Sequence, residues 1–124
     1  MANPQFLAEL TRLADASRIV ATVCTGSFLL ARTGLLDGRK ATSNKRVFSQ
    51  LTPYSPKVDW IAKARWVEDG KYFTSSGISA GMDMALAVIS KLCGRETSLQ
   101  IARQAEYQWH EVSSWDPFAA VADL

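Results

Sequence analysis

The spacing of apolar positions changes character several times along the chain, and each change marks an element. Phe6, Leu7, Leu10, Leu13 and Ala14 recur at helical spacing behind Asn3-Pro4, a capping residue followed by proline at the first helical position. This pattern predicts an amphipathic helix over residues 4–16. Ser17-Arg18 turns the chain into a run of strand formers, Ile19 to Val23, that reads as a strand covered on both faces. After Cys24-Thr25-Gly26-Ser27 the pattern becomes helical again through Phe28 to Ala31, with a stop expected near Thr33-Gly34. Leu35-Leu36-Asp37-Gly38 is a connector.

Lys40-Ala41-Thr42 reads as a short strand, and Ser43 or Asn44 as the cap of a helix over residues 45–51. A loop with two prolines leads to a weak strand candidate at Val58-Asp59-Trp60. The clearest hairpin follows: residues 64–68 alternate, Asp69-Gly70 signals a type I′ turn, and residues 71–75 return. A helix over about 78–92 opens on the small residues Ser79, Ala80 and Gly81; another is expected over 96–110. Trp115-Asp116-Pro117-Phe118 then reads as a docked turn in an irregular tail. Helices alternating with strands argue α/β with a partly parallel sheet.

One stretch carries candidate chemistry. A strand that breaks into a helix with a thiol at the break is how α/β enzymes present a nucleophile. Cys24 would stand at the carboxyl end of the strand, where open α/β sheets place their sites. The helix beyond it would aim free N–H groups at the sulfur. The same residues also fit a small buried cysteine with no chemistry, and the pattern alone leaves both readings open.

Composition narrows the picture without deciding it. In 124 residues the hydrophobic fraction is 48%, the charged fraction 21% and the formal net charge +2, as expected for one ordinary globular domain. The basic residues are scattered, which argues against a nucleic-acid partner; the densest group, Arg39 to Arg46, reads as a solvated loop. No apolar run is long enough for a membrane span. Cys24 and Cys93, the only cysteines, lack metal-type spacing, and a single histidine, His110, leaves no zinc set. Two lone thiols suit a reducing, cytoplasmic setting. Cys93 reads as core and His110 as surface. Asp83 reads as an acid placed for the dipole of its helix. Trp60, Trp66, Trp109 and Trp115 read as core or interface residues.

Val23 to Ala31 followed by Gly34 to Thr42 resembles the nucleophile segment of the ThiJ/PfpI superfamily, which has the class I glutamine amidotransferase-like fold. Thr74-Ser75-Ser76-Gly77-Ile78-Ser79-Ala80-Gly81-Met82-Asp83-Met84-Ala85-Leu86 resembles its second signature, the strand-to-helix turn beside the cysteine. Glu106-Tyr107 and Asp116-Pro117-Phe118 resemble the closing segment of the isocyanide-hydratase-like branch. The resemblance implies a flavodoxin-like three-layer sandwich and cofactor-free chemistry on a small molecule at Cys24. Its members include isocyanide hydratases, glyoxalase- or deglycase-like enzymes, amidases, peptidases and the sensing halves of transcriptional regulators. By the same resemblance Thr25 is the residue beside the nucleophile, and its N–H with that of Gly26 would meet developing negative charge. Asn44, Ser76 and Gly77 would line the pocket.

Two departures accompany the resemblance. The superfamily's acid, which hydrogen-bonds the cysteine from the amino-terminal half, has no match in Glu9, Asp15 or Asp83. Asn44 stands where histidine is frequent, and an amide cannot exchange a proton near neutral pH. Only one helix precedes the cysteine strand, so the amino-terminal βαβ portion of the sandwich is expected to be missing from this stretch. A fragment, a truncated gene model or splice form, or completion of the sheet by a homodimer or another partner chain would each account for that. Incompleteness is the expectation, because strand edges and apolar helix faces would otherwise stand open.

Overall fold

The computed structural model describes residues 3–124. Helix α1 (Pro4–Ala16) begins where the pattern placed it: Asn3 caps it by accepting the Phe6 N–H at 2.7 Å. Strand β1 (Val20–Val23) follows, then α2 (Gly26–Ala31), β2 (Lys40–Ala41), α3 (Phe48–Leu51) and, after a 3₁₀ turn, β3 (Asp59–Trp60). Strands β4 (Trp66–Asp69) and β5 (Tyr72–Ser75) form the hairpin, and α4 (Ala80–Cys93), α5 (Arg95–Gln104) and α6 (Pro117–Val121) complete the order.

The main sheet has the order β1-β5-β4, with β1 parallel and β4 antiparallel to β5. A second, two-stranded parallel sheet pairs β2 with β3. Alternation along the strands divides the core between the sheet faces. Val20 and Tyr72 pack with Ala14, Leu30, Ala31, Leu36, Ala41 and Val58 on one face. Ile19 and Phe73 pack with Trp66, Met84, Ala87 and Val88 on the other. Helix layers on both faces make the flavodoxin-like three-layer arrangement. Central β5 is buried at all four positions, whereas β1, expected to be covered on both faces, alternates between half-buried and exposed because the face carrying Ala21 and Val23 is left largely uncovered.

Several local expectations are corrected. The hairpin loop is Gly70-Lys71, since Asp69 pairs with Tyr72; positive φ falls on Gly70 alone, so the turn is not type I′. The helix expected over 45–51 shrinks to α3, because Lys45 is drawn into the interior. The last long helix ends at Gln104, where Glu106 takes φ +51° and redirects the chain across α4. Cys93, expected in the core, is exposed, as is Leu92 beside it in the last turn of α4. No helix among the described residues is long and apolar enough to cross a membrane.

Candidate functional site

Cys24 takes the last rung of the β1–β5 ladder, its N–H donating to the Ser75 carbonyl at 3.1 Å. The backbone then adopts φ +59°, a left-handed conformation that residues with a Cβ rarely enter. Ser27 N–H donates to the Cys24 carbonyl at 3.4 Å, and the Ser43 hydroxyl donates to the same oxygen. Three segments therefore hold one strained residue in place, as such residues require.

The sulfur meets two neighbours from distant parts of the chain. Asn44 Nδ2 donates to Sγ at 3.0 Å. The other end of that amide is committed, since Oδ1 accepts from Arg46 N–H at 2.7 Å and Val47 N–H at 3.3 Å. This Asx turn fixes which end of the amide faces the thiol. Gly77 supplies the second neighbour: a Cβ there would lie 2.9 Å from Asn44 Nδ2 and 3.4 Å from Sγ. Glycine is needed at 77 for space. Asn44 thus gives the sulfur a donor and cannot take its proton. Among the described residues no carboxylate hydrogen-bonds Cys24.

The remaining expected site residues divide. Thr25 and Gly26 follow the thiol, and neither N–H has a hydrogen-bond partner among the described residues. Helix α2 is only six residues long and ends at Ala31, short of the glycine expected to stop it. Ser76 is buried, donates its N–H to the Arg65 carbonyl at 2.8 Å and borders a cavity of about 330 Å³ with Asn44, Lys45, Gly77 and Phe118.

Lys45 belongs to no solvated loop. Its side chain is buried, with Nζ donating to Thr42 Oγ1 at 2.6 Å and to the Ser43 carbonyl at 3.3 Å. Burial lowers its pKa to about 8, against the pull of Asp116. It secures the Thr42–Lys45 loop that presents Asn44 to the sulfur.

Asp83 is fully buried and serves as an anchor, not as a pocket acid or a dipole partner alone. Its carboxylate pairs with Arg65 Nε at 2.8 Å and accepts from the Tyr107 hydroxyl at 2.9 Å and His110 N–H at 3.0 Å. Burial, followed by the hydrogen bond to Asp83, raises the Tyr107 pKa. Asp116, also buried, caps α6 and lies 3.8 Å from Arg65 Nη1. These bonds bring the tail back across α4, beside the thiol cavity. The sequence signals only a docked turn there, because the partners lie 18 to 27 residues from Asp83.

The DJ-1/PfpI family model matches residues 1–91. The chain is 37% identical over 107 residues to isonitrile hydratase of Pseudomonas putida, covering 86% of this chain and 46% of that protein. It is 36% identical over 95 residues to the HTH-type transcriptional regulator GbdR of Pseudomonas aeruginosa, covering 77% and 26%. A ThiJ/PfpI family protein from Pseudomonas syringae superposes with TM-score 0.75 at 27% identity, over 87% of this chain and 43% of that one. Drosophila melanogaster DJ-1beta shares the fold with TM-score 0.71 at 22% identity, over 86% and 56%. The chain thus spans about half or less of the relatives it matches. The family match runs from the first helix into α4 and so takes in both parallel strands and the turns that follow them. On that ground the chain belongs to the DJ-1/PfpI family.

Proposed function

We propose that this chain carries the nucleophile half of a cysteine-dependent hydratase or hydrolase, of the isocyanide-hydratase type. The carrying observation is Cys24 itself: a left-handed residue at a strand end, its sulfur bonded to the fixed Asn44 amide. Strain held by several segments is characteristic of functional positions. In the proposed reaction the Cys24 thiolate attacks the isocyanide carbon, which gains a proton and becomes a thioimidate. Water adds to that carbon, the C–S bond breaks, and the product is an N-substituted formamide with the thiol regenerated. Thr25 and Gly26 N–H groups, free of other partners, are suited to the negative charge that develops at addition. Cys24→Ser is expected to abolish formamide formation from an alkyl isocyanide followed by NMR. Turnover surviving that change would remove the assignment. A glyoxalase- or deglycase-like enzyme would use the same thiol on a carbonyl carbon.

A second reading is a non-catalytic module that senses a ligand or an oxidant. Asn44 favours it, because an amide cannot relay the proton that turnover must move. The regulator GbdR among the relatives gives it weight. Oxidation of Cys24 by dilute peroxide, read by mass spectrometry in a chain that turns over no isocyanide or dicarbonyl, would select it. For partners, the open edge of β1 suits a further strand, from a second copy or from another chain; no nucleic acid or membrane is required.

A further inference from the structure

A second cavity, of about 690 Å³, adjoins the one bordered by Asn44 and Gly77, the two neighbours of the sulfur, and shares Ser79 and Phe118 with it as walls. Tyr107, His110, Trp115, Phe118 and Arg65 supply most of its remaining lining. Its volume lies in the range of small-molecule sites. Phe118 is 59% exposed and Trp115 62% exposed, so two large rings in its walls are largely open to solvent.

Arg65 adds a polar requirement. Its side chain is 9% exposed, and only Nε makes a hydrogen bond, to Asp83. Among the described residues no fully buried side-chain nitrogen lacks a partner, so the terminal amino groups of Arg65 are not sealed off, and Arg65 is one of the residues lining this cavity. The charge around them is already balanced. Arg65 and Lys45 face Asp83 and Asp116, which pair with or act on them. Donors in a neutral, aromatic-walled space fit an uncharged acceptor better than an anion.

We propose that this cavity is a subsite for an aryl group bearing a carbonyl-type hydrogen-bond acceptor, attached to the carbon that Cys24 attacks. The inference rests on Cys24 as the reacting group and names the class of molecule it meets. The walls from Tyr107 to Phe118 come from the tail, beyond the stretch that the family model matches.

The test uses alkylating probes, which need no turnover: sulfur displaces iodide and a thioether forms. Iodoacetamide, N-phenyliodoacetamide, N-(4-acetylphenyl)iodoacetamide and N-(4-isopropylphenyl)iodoacetamide are compared on the unmodified chain by peptide mapping. Exposed Cys93 is the internal reference. Relative to Cys93, Cys24 is expected to favour the phenyl over the parent probe by roughly tenfold. The acetyl probe should exceed its isopropyl counterpart severalfold. Phe118→Ala, which removes an exposed ring, should bring the phenyl preference back to that of Cys93, with Trp115→Ala as a second variant. Equal preferences at the two thiols overturn the proposal, as does an aryl preference that both variants leave intact. Equal rates for acetyl and isopropyl probes remove the role of Arg65. A preference that vanishes as protein concentration rises would give the rim to a second copy and also overturn it. If the aryl preference holds but no formamide forms, the hydratase reading fails and the subsite stands.

Discussion

Strands β1 and β5 are four residues each and lie side by side in parallel register, yet they live in different surroundings. Strand β5 is paired on both edges and buried at all four positions. Strand β1 is paired on one edge, and Ala21 and Val23 are exposed. The two strands end on the two halves of the site, Cys24 and the Ser76-Gly77 turn. The difference teaches that support and display of the thiol are separable here: β5 holds the sheet together, and β1 presents Cys24 from its margin.

The comparison is broken most forcefully in the middle of the sheet. Phe73→Ala on β5, where the ring is 1% exposed, is expected to cost about 3–5 kcal/mol in urea unfolding. Val23→Ala on β1, at 42% exposure, should cost less than about 1 kcal/mol. Equal losses would show that β1 is as enclosed as its neighbour. A second measurement sharpens the contact between β1 and α4. A Cβ at Gly81 would lie 2.7 Å from Val23 Cγ1, so Gly81→Ala should destabilise by about 1–3 kcal/mol. Adding Val23→Ala should recover most of that loss in a double-mutant cycle, and additive losses would place the clash elsewhere.

Gly77→Ala probes the point where the strands meet. Its Cβ would press on Asn44 Nδ2 and the sulfur, so Cys24 alkylation should slow by about tenfold or more while the melting curve moves little. The last test concerns pH. Lys45 has a folded pKa of about 8, below the ordinary lysine value of about 10.4, so the unfolded chain holds the extra proton between them. Stability should therefore rise as pH climbs from about 8 toward 10, and the wild-type minus Lys45→Met difference should carry that slope. A flat difference would mean the ammonium is not confined.

What could be read in the sequence was local or repeated. The Asn3 cap and α1 depend on residues four apart, and the Cys24 break depends on adjacent ones. Asn44 reads as a helix cap and, through the resemblance, as pocket lining; α3 starts only at Phe48, and Asn44 instead forms an Asx turn that points its amide at a sulfur 20 residues away. Nor does any local pattern say that Lys45 turns inward to Thr42, or that Asp83 gathers Arg65, Tyr107 and His110. An acid in the first turn of a helix has a sufficient local explanation, and that explanation hides the distant one. Cys93 misled in the other direction, since the apolar pattern of α4 continues into a last turn that is exposed.

The left-handed cysteine has a bearing on how this fold can change over generations. A residue with a side chain in that conformation costs the folded state about 1 kcal/mol or more, and glycine would adopt it freely. Mutation toward stability and retention of the thiol therefore pull position 24 in opposite directions. A lineage that ceased to need the sulfur would gain stability by replacing it with glycine.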